Sequence, residues 1–446
     1  MSRRVVITGL GPVSGLGLGI KENWAAVSEG RSAVKRIGMF DPSGFDCHVG
    51  GEIAELKVKK FVPKSYRKAT KVMARDIEMA VVAADFAAKD AALNTPGTMD
   101  NGDQISYSGE RISAQIGAGL IAADINELTM ALADSKDEAG EFDIHKWGQE
   151  GMQSLTPLWL LKYLPNMLAS HVAIIHDTQG PSNTITCGDS SSGLSIGESL
   201  RVIQRGSADA GFCGGAESKL NLMAYMRQEL NGRLTKDLNG VGEAGGVVKV
   251  FDEDSSGTVL GEGGGIVVLE ALEMYEAREK NAGHEPYAEV VGFGASQTVH
   301  KESRNLKTDP EGRAIASAIR AALNEGDVSA DEIDVVYAYG SGIKAYDVGE
   351  AAALKKVFGE RLSGMPIVTT KALVGNCGAG GGGFDVCIAA KSVKEGLIPA
   401  VVGREKPIEG MQGNSDSESK EIRYALVLST GVGGQNTAIL LKNHRA

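Results

Sequence analysis

A thiol, a carboxylate and three hydroxyls are crowded together at Cys187, Asp189 and Ser190-Ser191-Ser192. Groups of these types perform acyl transfer when one is held at a helix N-terminus, where unpaired N–H groups favour negative charge. The surrounding residues predict such a setting. Gly180-Pro181-Ser182 punctuates a turn, and Thr184-Ile185-Thr186 is β-branched and strand-like. Only small or turn-prone residues follow over 187–193. Ile196, Leu200 and Ile203 then recur at helical spacing, which predicts a helix with one buried face. Strand, tight turn and helix place one side chain at the helix start, and its identity decides the chemistry.

The chain that positions this turn has 446 residues, too many for one ordinary core, so two domains or two fused halves are expected. Its 59 glycines and 5% aromatic content predict close backbone packing and many tight turns. No apolar run is long enough to span a bilayer, and Met1-Ser-Arg-Arg4 leads directly into a short strand. A soluble, cytoplasmic protein is expected. The five cysteines show neither metal-ligand spacing nor a pairing pattern. A net charge of -11 argues against nucleic acid as a partner. Within that acidic chain, 57–71 carries Lys57, Lys59, Lys60, Lys64, Arg67, Lys68 and Lys71 with no acid among them. Such a run is either a solvated surface or a dock for something negative.

In chain order, Val5 to Gly11 reads as a buried strand whose Gly9-Leu-Gly11 suits close strand–helix packing better than a nucleotide site. The alanine-rich 73–93 reads as a helix, 100–110 and 133–151 as polar surface excursions, and 159–175 as a helix. His171 and His176 read as packed or surface histidines, because no second ligand has a matching spacing. Strands are expected at 208–217, 266–269, 288–294, 335–338, 425–428 and 437–441, with a helix at 314–323. Gly375-Asn-Cys-Gly-Ala-Gly leads into another helix. The second half thus repeats the first: each opens on a strand ending in Gly-x-Gly and later runs strand, small-residue turn, helix.

Seven ordered landmarks then point to a family: Val6-Ile-Thr-Gly-Leu-Gly, Gly180-Pro-Ser, Ile196-Gly-Glu, Gly214-Gly-Ala-Glu, Phe251-Asp-Glu-Asp, Leu260-Gly-Glu-Gly and Gly433-Gly-x-Asn436. In this order they resemble the β-ketoacyl-acyl-carrier-protein synthases, over nearly the whole chain. The resemblance implies an α/β, thiolase-like, five-layered αβαβα sandwich, here divided as 1–272 and 273–446, and usually a dimer. It implies no cofactor or metal. It also implies a cysteine nucleophile and two histidines that decarboxylate a malonyl thioester.

Residue by residue, the family's cysteine position is Asp189, its Ala-His-Gly-Thr motif reads Ala338-Tyr339-Gly340-Ser341, and its second histidine position is Asn376. The supporting positions Lys371, Glu350 and Asp347 match. Asp189 is a favoured N-cap type, and a helix N-terminus should keep it ionised and poorly nucleophilic. Tyr339 and Asn376 can donate hydrogen bonds but supply no imidazole. The resemblance therefore implies a retained architecture with lost condensation chemistry, as in chain-length-factor subunits, which pair with a catalytic ketosynthase homologue. Those subunits usually carry glutamine where this chain has Asp189. Two alternatives remain: displaced chemistry using Cys187, and a decarboxylase, which would need the missing histidines. Cys187 and Cys377 read first as small buried residues. Arg67, Lys68 and Lys71 fall where the family docks acyl carrier protein, and Val432 where it carries a gating phenylalanine. His300 falls near the expected pocket mouth and reads first as a surface histidine.

Overall fold

The computed structural model describes residues 3–99, 104–236, 238, 246–278, 285–298, 309–412, 416–431 and 433–445. Val432 and His300 lie outside them. Ten strands form the path of one mixed sheet. The first half supplies β1 Val5–Ser14, β2 Ile112–Ala118, β3 Ser182–Ile185, β4 Ala210–Ser218 and β5 Glu262–Ala271. The second supplies β6 Ala288–Gln297, β7 Val335–Tyr337, β8 Ile367–Val368, β9 Tyr424–Thr430 and β10 Gln435–Lys442.

From the middle outward, one arm of the sheet runs β1-β5-β4-β2-β3 and the other β6-β10-β9-β7-β8. The directions agree as well. β2 and β7 each pair in parallel with both neighbours, and the remaining pairings within each arm are antiparallel. Among the described residues, the arms pair where β1 meets β6, at Val6 opposite Glu289 and Ile7 opposite Ala288.

Six of the described helices pack on or beside these arms: α1 Arg75–Asp90, α2 Met167–His176, α3 Ser191–Gln204, α4 Arg313–Gly326, α5 Lys344–Phe358 and α6 Gly381–Glu395. α1 packs outside β1, β5 and β4, while α4 packs outside β6 and β10. Between the two arms lie α3 and α6. α3 touches β2 and β4 on one side and β10 on the other, and α6 touches β5 and β9. Covered on both sides, these two helices bury most of their side chains. The result is the expected five-layered αβαβα sandwich.

The Gly-x-Gly pairs do the same work in each half. A Cβ at Gly9 or Gly11 would meet the Ala87 and Ala83 carbonyl oxygens of α1 at 2.1 and 1.9 Å. At Gly292 and Gly294 it would meet the Ala322 and Ala318 oxygens of α4 at 2.1 and 1.9 Å. Only glycine lets strand and outer helix come this close. The nucleotide reading is unnecessary.

Two expectations change. The helix expected over 159–175 breaks into a 3₁₀ turn, Trp159–Tyr163, and α2, because Pro165 lacks the N–H that a continuous helix needs. The polar excursion 133–151 contains a short helix, Ile144–Gln149, whose start is capped by the Asp143 carboxylate. Among the described residues, no helix is long and apolar enough to cross a membrane.

Candidate functional site

The turn ahead of α3 is a single 3₁₀ turn, Gly188–Ser190, entered through Gly188 at φ 58°. The three serines beside it are fully buried. Ser190 Oγ donates to the Gln435 carbonyl at 2.7 Å, and Ser191 Oγ donates to the Gly188 carbonyl at 2.6 Å. Ser191 Oγ also accepts the Cys187 N–H at 2.8 Å. Ser192 Oγ donates to the Ala379 carbonyl. These hydroxyls tie the turn to the fold and are not free to react.

Asp189 is not the N-cap. Ser190 holds that position without a side-chain cap, and the Asp189 carboxylate turns away to a lysine. Lys219 Nζ lies 3.5 Å from Asp189 Oδ1 and 3.8 Å from Glu217 Oε2. Glu217 Oε2 also accepts the Ala379 N–H at 2.6 Å. Burial alone would lower Lys219, yet Asp189 and Glu217 outweigh it and hold the ammonium above the ordinary lysine range. Burial pushes Glu217 up, and Lys219 opposes that shift. An ion triad therefore occupies the helix start.

Asp189, Tyr339 and Asn376 share one narrow crevice with Lys219 and Arg233. Asn376 Nδ2 donates to Tyr339 Oη at 3.3 Å, and its Oδ1 accepts the Gly378 N–H at 2.8 Å. Burial, reinforced by the Asp189 charge, raises Tyr339 well above the ordinary phenol range, so it can donate a hydrogen bond but not act as a base. The loop carrying Tyr339 is clamped from α5. Glu350 accepts the Tyr339 and Gly340 N–H groups at 2.8 and 2.9 Å, and Asp347 accepts the Ser341 N–H at 2.7 Å. Burial pushes Glu350 up to about 7 and also raises Asp347. Lys371 pairs with Asp385 at 2.9 Å and lies 4.6 Å from the Tyr339 ring centroid. The three supporting residues fix the tyrosine's backbone and ring.

The crevice opens into a cleft of about 570 Å³. Cys187 lines this cleft and is only half-buried, so the small-buried-residue reading fails there. It holds for Cys377, which is 1% exposed, with a thiol that burial pushes up to about 12. No histidine lines the cleft among the described residues. His171 and His176 are buried in α2, where Nδ1 of each hydrogen-bonds to a hydroxyl, Tyr66 and Thr95 respectively. Burial lowers His176 to about 3. Arg67, Lys68 and Lys71 are exposed and, among the described residues, take part in no ion pair.

With that geometry in place, comparison with known proteins decides the family. The N-terminal domain model of β-ketoacyl synthases matches residues 2–274, and the C-terminal domain model matches 287–405. The chain belongs to the β-ketoacyl synthase family. It is 26% identical to a 3-oxoacyl-[acyl-carrier-protein] synthase 2 of Staphylococcus aureus, covering 100% of this chain and 99% of the relative. It is 27% identical to the protein of that name from Synechocystis, covering 99% of each. Among solved structures, the ishigamide ketosynthase/chain length factor is similar with a TM-score of 0.81, at 26% identity over 100% of both chains.

Sequence reasoning missed Lys219, Arg227, Gln228 and Arg233, which line the cleft with Asp189. The available signal was local. Lys219 follows a buried Gly-Gly-Ala-Glu strand end by two residues, a place where a cation must meet a buried acid.

Proposed function

We propose that this β-ketoacyl synthase homologue is a non-elongating, chain-length-factor-like subunit of fatty acid or polyketide biosynthesis, working in the cytoplasm beside a catalytic ketosynthase. The observation that carries the reading is the Asp189–Lys219–Glu217 triad. It fills the helix start with paired charges where a condensing enzyme needs a free thiolate. Tyr339 and Asn376 leave hydrogen-bond donors in the crevice without a titrating imidazole. The likeness to a ketosynthase/chain length factor supports the same reading.

Two surface features support a heteromer. Among the described residues β3 is an end strand that pairs only with β2, so its outer edge offers backbone groups to another chain. Large apolar side chains are also exposed in this half, among them Leu120, Leu158 and Ile174. In this reading Arg67, Lys68 and Lys71 dock the acidic acyl carrier protein, and 1–272 and 273–446 are the two duplicated halves. Production with and without a catalytic ketosynthase from the same source, followed by size analysis, tests it. A stable heteromer is expected, and its absence under every condition would sink the proposal.

One observation favours a second reading. The Cys187 thiol faces the cleft and is half-buried, which leaves it accessible to a thioester. A condensing or acyltransferase activity would then use Cys187. An acyl adduct lost in Cys187→Ala would establish that.

A further inference from the structure

The cleft beside Asp189 is charged in a way that an aliphatic acyl chain does not need. Lys219, Arg227 and Arg233 line it against two carboxylates, Asp189 and Glu217. Both carboxylates are already engaged by Lys219, and Glu217 also by the Ala379 N–H. Among the described residues, the two guanidinium groups therefore lack a counter-charge. Arg227 Nε donates to the Met223 carbonyl at 3.2 Å, and Arg233 Nη1 donates to Gln228 Oε1 at 3.2 Å. No carboxylate among the described residues lies within 4 Å of either. Their fields nonetheless reach the site: Arg227 opposes the rise of Glu217, and Arg233 opposes the rise of Lys219 and Tyr339. The neutral polar groups of Gln228, Asn231 and Gln435 complete this side of the cleft.

We infer that the cleft is a binding site for an oxyanion, carboxylate or phosphate, held by the Arg227 and Arg233 guanidinium groups above the Asp189–Lys219 pair. Guanidinium presents forked N–H donors that match such an anion in charge and shape, and both arginines retain unused donors. Lys219 is satisfied by its own carboxylates, so the ligand competes with no internal ion pair. The inference stands on the cleft alone and is independent of whether the chain pairs with a ketosynthase.

Titration calorimetry on the full chain tests it, using malonate, inorganic phosphate and neutral malonamide at constant ionic strength. Saturable binding of a dianion, with none of malonamide, is expected. Tighter malonate identifies a carboxylate ligand and tighter phosphate a phosphate-bearing one, and either supports the site. The Arg227→Gln/Arg233→Gln double variant should weaken binding about tenfold or more. Gln228→Glu, which brings a carboxylate to Arg233 without deleting either cation, should act in the same direction if the double variant fails to fold. No saturable binding to the native chain, or unchanged affinity in the variants, would overturn the inference.

Discussion

Two tight turns, 187–190 in the first half and 377–380 in the second, start their helices in the same way. Each follows a cysteine, each sets a glycine in the left-handed region, Gly188 at φ 58° and Gly378 at φ 54°, and each closes one 3₁₀ turn before α3 or α6. They touch: Ser192 Oγ of one helix start donates to the Ala379 carbonyl of the other. Their contents differ. The first presents Asp189 and a half-buried thiol to a cleft, whereas the second presents Ala379 and a thiol buried at 1% exposure. The same backbone device thus occurs twice, and only the first copy faces a cleft with a charged side chain. The second copy now serves the first, because the Ala379 N–H donates to Glu217, which holds Lys219 against Asp189.

The largest expected effect comes from removing the cation that the two turns share. Lys219→Met leaves the buried Asp189 and Glu217 carboxylates without their cation and should cost about 3–5 kcal/mol, read from urea melts. A loss below about 1 kcal/mol, the scale of an exposed pair, would mean that the triad is not a buried unit.

Alanine at the paired glycines sharpens the comparison next. At Gly188 a Cβ meets nothing within 4 Å, so Gly188→Ala should cost only the left-handed backbone penalty of about 1–2 kcal/mol. At Gly378 the Cβ would lie 2.0 Å from Glu217 Oε2 and 2.8 Å from Lys219 Nζ. Gly378→Ala should therefore cost a further ~1–3 kcal/mol. Equal losses in the two variants would contradict the different roles assigned to the turns.

A pH prediction follows from the acid behind the triad. Asp76 is 4% exposed and accepts the Ser218 N–H at 3.1 Å, next to Glu217. Burial first, then the Glu217 charge, pushes it up to about 8 from 3.8. A carboxyl raised in the folded state contributes stability that is fully present below 3.8 and lost as pH climbs through about 8. Melting the native chain and Asp76→Asn from pH 4 to pH 8 should show a decline in the former that is flattened in the latter. Parallel curves would contradict the assignment.

The smallest effect concerns neither turn. Charge reversal of Arg67, Lys68 and Lys71 should weaken acyl carrier protein binding and its salt dependence while leaving the fold intact, because all three are exposed and form no ion pair among the described residues. Unchanged carrier binding, measured by calorimetry at two salt concentrations, would remove the docking role.

What could be read from the chain divides along the same line as the two turns. Local spacing announced β1, α1, α3 and both Gly-x-Gly packings, because each depends on neighbours in sequence. The glycine turn at 375–383 was recognisable as a helix start for the same reason. Pairings between distant residues were not legible. Asp189 looked like an N-cap because its type and place fit one, yet its carboxylate is claimed by Lys219, thirty residues on. Cys187 looked buried because most cysteines are, but the open cleft lies on its side of the turn. The arginines of 227–233 carried no motif at all, and only the folded chain brings them to the crevice.

With Asp189 paired to Lys219 at the helix start of the first half, no acyl group should be taken up there. Intact mass analysis of the chain after incubation with acylated carrier protein tests it most directly. An unmodified mass is expected for the native chain and for Cys187→Ala alike. A stoichiometric acyl adduct on the native chain that disappears in Cys187→Ala would contradict it.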